Sequence, residues 1–182
     1  MRVLDSTTMF TCQAVLVREA VRLVKEEQKT VAELQEPLEA MRDSIRAYVI
    51  PEDLYYLHTR ASTKGDNSVG LLSYKLGNML NVKPIIQCVK GETSPCDKAS
   101  GFDKALNRLF DRVEQAIEKG LRTPFIAMSY AGDLSEMRNY ECYQRFQVLA
   151  QGLNIETMLS VMSTTAGINV GPRSFSLAYA ER

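Results

Sequence analysis

The chain has 182 residues, 45% of them hydrophobic, and its 22 basic residues balance 22 acidic ones. That length and apolar content suffice for one full core, or for one domain plus part of another. A zero net charge supplies no summed field to hold nucleic acid or an anionic membrane surface. One histidine and four scattered cysteines, with no Cys-x-x-Cys pair, lack the spacing of a zinc site.

Arg2 to Leu4 reads as a short buried strand, Asp5 to Thr11 as a polar loop, and Gln13 to Glu27 as a helix with Leu16, Ala20, Leu23 and Val24 on one face. The opening residues lack the apolar core of a signal peptide and no window is long enough to cross a bilayer, so a cytoplasmic protein is expected. A second helix opens on the capping-box pattern Thr30-Val31-Ala32-Glu33 and carries Leu34, Leu38, Met41 and Ile45. Pro37 lies inside that stripe and predicts a kink. Ala47 to Ile50 reads as a strand, and Pro51-Glu52-Asp53 begins a short helix through Leu54, Tyr55 and Leu57.

Thr59 to Ser68 is the most polar stretch and predicts a mobile loop. Val69, Leu72, Leu76, Met79 and Leu80 then define a helix, Lys83 to Val89 a strand, and Lys90-Gly91 a hairpin turn into a strand around Thr93 to Cys96. Cys88 and Cys96 can face each other across that hairpin, although reduced thiols are the commoner state in a cytosolic protein. Phe102, Ala105, Leu106, Leu109, Phe110, Val113 and Ile117 recur at three- and four-residue steps before Gly120, a left-handed stop.

Pro124 to Tyr130 is the next strand, and Asp133-Leu134-Ser135-Glu136 is a second capping box, opening a helix through Met137, Tyr140, Phe146 and Leu149 that ends at Gly152. Ile155 to Met162 is a strand, a glycine-rich loop follows, and Phe175 to Ala180 closes the chain as a last strand. Alternating helices and strands with a hairpin argue for an α/β or α+β layered fold. Catalytic templates find no purchase. His58 has no local nucleophile motif, and neither a Gly-x-Gly-x-x-Gly run nor a Walker lysine loop is present. The chain therefore reads as a non-enzyme without catalytic residues or a cofactor. Asp5 follows the opening strand, so it either caps the next helix or, with Ser6, meets a ligand at the strand's C-terminal end.

Three stretches carry a family likeness: the tail Gly167-Ile168-Asn169-Val170-Gly171-Pro172-Arg173-Ser174 before Phe175, the segment Leu76-Gly77-Asn78-Met79-Leu80-Asn81-Val82-Lys83-Pro84-Ile85-Ile86, and the opening Val3-Leu4-Asp5-Ser6. Together they resemble the bacterial DegV family of fatty-acid-binding proteins, over the later part of such a protein. The family's threonine-serine-glutamine-proline-serine and serine-leucine-serine-glycine-threonine runs have no counterpart in this sequence. The resemblance implies that residues 1–50 are the last strand and helix of a parallel-sheet first domain. Residues 51–182 are then the second, lipid-binding domain, with a mixed, largely antiparallel sheet backed by helices. It implies further that the protein holds a long-chain fatty acid in an apolar tunnel and presents it to a kinase resembling the dihydroxyacetone kinases. The alternative is a regulatory module of a kinase-like protein that has lost head-group binding. The unpaired opening strand of such a shortened chain predicts self-association into a homodimer.

The resemblance also nominates residues. Near the fatty-acid carboxylate it places Ser6, Arg60, Asn169, Gly171 and Arg173, where Ile168, Asn169 and Arg173 stand for the family's threonine, histidine and third glycine. Arg60 is the best match to the arginine of a glycine-glycine-arginine turn that follows a Tyr-Leu pair, here Tyr56-Leu57. Phe10, Cys12 and Ala14 replace the serine and two glycines of the opening pattern. An acyl chain needs only a continuous apolar lining, for which Leu72, Leu76, Met79, Leu106, Leu109 and Phe110 are available, although such stripes are normally ordinary core packing. Arg173 either pairs with the carboxylate or points into solvent.

Overall fold

The structure is a computed structural model that describes residues 3–57, 59 and 81–182. Helix α1 (Cys12–Lys25) is followed by a 3-10 turn (Val31–Glu33), α2 (Gln35–Arg42), β1 (Ile45–Ile50), a helical turn at 54–57, and the hairpin of β2 (Val82–Val89) and β3 (Glu92–Ser100). Helix α3 (Phe102–Lys119), β4 (Leu121–Tyr130), α4 (Leu134–Arg138), α5 (Glu141–Gly152), β5 (Glu156–Val161), α6 (Thr164–Val170) and β6 (Phe175–Glu181) complete the order. The strands form one six-stranded sheet in the order β3-β2-β1-β6-β4-β5. Among the described strands only the β4 and β5 pair is parallel. The expected mixed, largely antiparallel sheet backed by helices is the one observed.

Local chemistry explains the departures from the sequence reading. Val3 and Leu4 form no strand, and Val3 is exposed, because so short an apolar run makes too few ladder bonds to offset the entropy of extending it. The first capping box forms, with Thr30 N donating to Glu33 Oε2 at 2.8 Å. The helix then restarts at Gln35, which leaves Pro37 in the first turn of α2, where its missing N–H has no helical partner to lose. A restart replaces the expected kink. The second box is not completed: Asp133 accepts from Ser135 N at 2.8 Å, but Glu136 accepts from the Tyr130 hydroxyl at 2.9 Å. The single helix expected after it breaks at Asn139 and Tyr140, where Tyr140 turns extended. The glycine-rich tail is helical as far as Val170, and Gly171, at φ +88°, is its stop.

The boundary expected at residue 50 runs through this sheet. β1 is hydrogen-bonded by β2 on one edge and β6 on the other, both from beyond that boundary. Alternation along the strands divides the molecule into two layers. On one face Tyr48, Ile50, Ile126, Met128, Phe175 and Leu177 pack under α3, α4 and α5. On the other, Ile45, Ala47, Phe125, Ala127, Ala178 and Ala180 pack under α1 and α2.

All four cysteines are free thiols, and Cys88 pairs in register with Thr93, not with Cys96. The Lys90-Gly91 turn takes positive φ at both residues, 51° and 82°, as a tight hairpin requires. Among the described residues no helix is long and apolar enough to cross a membrane.

Candidate functional site

A third apolar cluster stands apart from both layers of core. Val49 and Ile86, partners in the β1–β2 ladder, meet Met162 at the end of β5 and Val170 at the end of α6. Phe10, Leu57, Ala131 and Ala166 pack against them half-buried. Val49 and Ser176 are register partners, so this cluster lies on the α1 side of the sheet, at the end where β1 finishes and β6 begins.

The tail turn covers that end. Gly171 N donates to Gly167 O at 2.7 Å, closing α6. A Cβ on Gly171 would lie 2.4 Å from the ring of Tyr56, so glycine is needed both for the left-handed backbone and for the close approach of that ring. Arg173 N donates to Ala131 O at 2.8 Å and Ala131 N to Ser174 O at 2.9 Å. Ser174 Oγ donates to Val170 O at 2.8 Å and accepts from Glu52 N at 3.4 Å. The turn is thereby tied to the end of β4, to α6 and to the segment after β1.

Beside the cluster lie three buried hydroxyls. Thr11 Oγ1 and Ser176 Oγ are 2.9 Å apart, and Ser129 Oγ is 3.4 Å from Ser176 Oγ. Buried hydroxyls are satisfied by one another here, as polar groups in an apolar layer must be. Among the described residues no acid or base is hydrogen-bonded to them. Sequence reasoning passed over all three. Their signal was a serine set into each of two otherwise apolar buried strands, Phe-Ile-Ala-Met-Ser-Tyr ending at Tyr130 and Phe-Ser-Leu-Ala-Tyr-Ala ending at Ala180.

The nominated residues are dispersed by the fold. Asn169 and Gly171 are at the tail, where Asn169 Nδ2 donates back to Thr165 O at 2.7 Å. Arg173 is two residues from Gly171, but its exposed guanidinium stands against the hydroxyls of Tyr130 and Tyr140 on the α3 side, and these, Tyr130 foremost, push its pKa up. Tyr130 is itself pushed up to about 12 by burial and then by its bond to Glu136. Arg173 has φ +61°, the left-handed region that favours glycine, which accounts physically for the glycine usual at this place in the resembled family.

Ser6 sits toward the β2–β3 hairpin, at the other end of the sheet. It exchanges bonds with Thr8, and the carbonyl of adjacent Thr7 is 3.5 Å from the Cβ position of Gly91. Asp5 accepts from Thr7 N at 2.8 Å and so caps this local turn, not α1. Leu106, Leu109 and Phe110 are fully buried on the opposite face from the tail, with the Phe110 ring 4.9 Å from that of Phe146 and 5.9 Å from that of Phe175. The amphipathic stripe of α3 is taken up by packing on the sheet. Arg60, Leu72, Leu76 and Met79, together with His58, lie outside the described residues.

Residues 1–182 match the family described as "Uncharacterised protein, DegV family". The chain is 37% identical over 180 residues to a DegV domain-containing protein of Xanthomonas campestris pv. campestris, covering 99% of this chain and 57% of that one. Among solved structures it is similar to a stearic acid-binding protein from Eubacterium ventriosum, with TM-score 0.76 and 18% identity over 98% of this chain and 58% of the other. It is also similar to the Streptococcus pneumoniae Fatty Acid Kinase (Fak) B3 protein loaded with linoleic acid, with TM-score 0.74 and 14% identity over 100% and 60%. The chain thus spans less than two thirds of the length of each of these proteins, and the structural likeness is one of fold.

Proposed function

The chain belongs to the DegV family, and from that premise we propose that it is a fatty-acid-binding unit whose acyl site is the small apolar cluster of Val49, Ile86, Met162 and Val170 beneath the Gly171 turn. The observation that carries this reading is the cluster's isolation. An apolar patch on the inner face of a sheet, continuous with neither core and covered by a turn only glycine can make, has the character of a ligand wall. The structural relatives named for stearic and linoleic acid support the ligand class.

On this reading Phe10 and Leu57 bound the acyl chain on one side; Leu72, Leu76 and Met79, which the family resemblance nominates for the lining, lie outside the described residues. The carboxyl end lies toward Asn169, whose amide nitrogen keeps a second N–H beyond the one given to Thr165 O, and is presented to a kinase resembling the dihydroxyacetone kinases. Ser6, turned to the hairpin, takes no part in this wall. Arg173 acts from the outer surface of the tail turn and not as the head-group partner.

Native mass spectrometry of the purified chain, followed by extraction under denaturing conditions, tests the proposal. One long-chain fatty acid near unit stoichiometry is the expected result, and its loss in Val170→Asp with the fold retained locates it. A protein that emerges empty, and takes up no added oleate, overturns the reading. One observation favours the alternative of a regulatory module: the Arg173 guanidinium stands against Tyr130 and Tyr140 on the α3 side of the sheet, away from the apolar cluster. An empty chain that still captures a kinase-like domain would establish that alternative.

A further inference from the structure

The two edges of the sheet are built differently. β3 is an edge strand that carries Pro95, which has no N–H to offer, charged Glu92, Asp97 and Lys98, and a partner register that slips between Ile85 and Ile86. Proline, charge and irregularity are the usual protections of an edge against pairing with another chain. β5, the opposite edge, reads Glu-Thr-Met-Leu-Ser-Val, with a single charge at its first residue. That charge is already neutralised, since Glu156 is 2.7 Å from the guanidinium of Arg18 on α1.

Exposed apolar side chains gather around this unprotected edge on both faces of the sheet. Met158 and Val161, the latter 64% exposed, belong to β5 and point to opposite faces, as their partners Ala127 and Tyr130 do. Helix α5, tied to β5 by a 2.8 Å bond between Thr157 and Gln147, carries Val148 at 72% exposure. Helix α1, tied to β5 through Arg18, leaves Val17 and Val21 exposed.

We propose that the β5 edge, with α1 and α5 flanking it, is a dimerisation surface whose partner is a second copy of this chain. An extended peptide would pair with the strand but leave Val148 and Val17 in water. A second copy brings a helix on either side of its own strand and covers all three layers. A closed twofold interface requires the same patch from both molecules, and pairing β5 to β3 is opposed by Pro95 and the charges around it. Antiparallel self-pairing centred on Leu159 keeps each residue on its own face, sets Met158 against Ser160 and Thr157 against Val161, and leaves the two Glu156 side chains at opposite ends. One sheet then runs through both copies, with the paired edge ending one residue before Met162 of the apolar cluster.

Sedimentation equilibrium of the 182-residue chain from about 1 to about 100 µM, the range of ordinary protein association, tests the proposal. A dimer is expected. Val148→Lys, on an exposed helical position where folding is not at stake, weakens it at least about tenfold. Met158→Lys with Val161→Lys gives a monomer with an unchanged circular dichroism spectrum, while Thr93→Lys on the β3 edge leaves the dimer intact. A wild-type monomer throughout that range overturns the inference. So does a dimer that survives Val148→Lys and the β5 pair, or one that Thr93→Lys disrupts equally.

Discussion

The two faces of the sheet solve the same burial problem with different materials. On the α3 face, large rings and branched chains interlock: Phe110, Phe146 and Phe175 stack, and Tyr48 and Tyr179 lie with centroids 6.1 Å apart. On the α1 face the strands present Ala47, Ala127, Ala178, Ala180 and Cys88, small side chains that let helices approach closely. At one end of that layer they give way to the separate apolar cluster and the three hydroxyls. The α3 face is built for density, which is where stability comes from. The α1 face mixes small side chains with Ile45 and Phe125, and at its end stands the cluster proposed as the acyl wall.

The contrast can be broken most forcefully at Phe110. Phe110→Ala should cost about 3–5 kcal/mol in urea unfolding, the range for a buried aromatic, and a loss below about 1 kcal/mol would mean the α3 face is not the stabilising one. Gly171→Ala comes next, at about 1–3 kcal/mol for strained backbone and contact with Tyr56. In a double-mutant cycle Tyr56→Ala should return the steric part of that loss and not the part due to the left-handed φ. Ser176→Ala leaves Thr11 and Ser129 without their shared partner and should cost about 1–2 kcal/mol. The triple change to Thr11→Val, Ser129→Ala and Ser176→Ala should cost less than three separate losses, because no hydroxyl is then stranded.

A smaller effect appears with pH. Burial, then the nearby Cys88, raises the Cys12 thiol from its ordinary 9.0 to about 12. The shift is upward, so the neutral thiol's contribution is complete below pH 9 and is lost as pH climbs toward about 12. The melting temperature of the wild type should therefore fall more steeply above pH 9 than that of Cys12→Ala, and parallel curves would contradict the assignment. The smallest effect is expected at Arg173, where Arg173→Gly relieves the positive φ while giving up the tyrosine hydroxyls. A change within about 0.5 kcal/mol, measured by chemical denaturation, is the expected balance.

Periodicity made the long amphipathic elements legible. The stripe from Phe102 to Ile117 and the stop at Gly120 became α3, and the Lys90-Gly91 pair became the hairpin, since both signals are local. Elements whose fate depends on distant partners were not legible. Tyr140 breaks what reads as one helix, and Glu136 abandons its capping box for a hydroxyl on β4. The site was harder still. The tail glycine was legible because backbone freedom is a property of one residue. The companions of Val170 come from β1, β2 and β5, and nothing in those separate stretches announces that they meet. Arg173 illustrates the limit: its place in the family's tail pattern nominated it for the carboxylate region, with exposure to solvent as the other reading, and its guanidinium is exposed against Tyr130 and Tyr140 on the α3 side.

β6 occupies the middle of the sheet although it follows the other five described strands in the chain. β3, β2 and β1 form one half-sheet and β4 and β5 another, and among the described strands β6 alone bonds to both. During synthesis neither half can join the other until residues 175–181 leave the ribosome, so the growing chain carries two open seams until then. Cooperativity of the finished protein and vulnerability of the unfinished one then have the same origin. A ribosome stalled before Phe175 should yield a chain that chaperones hold and proteases cut, not a smaller version of the domain.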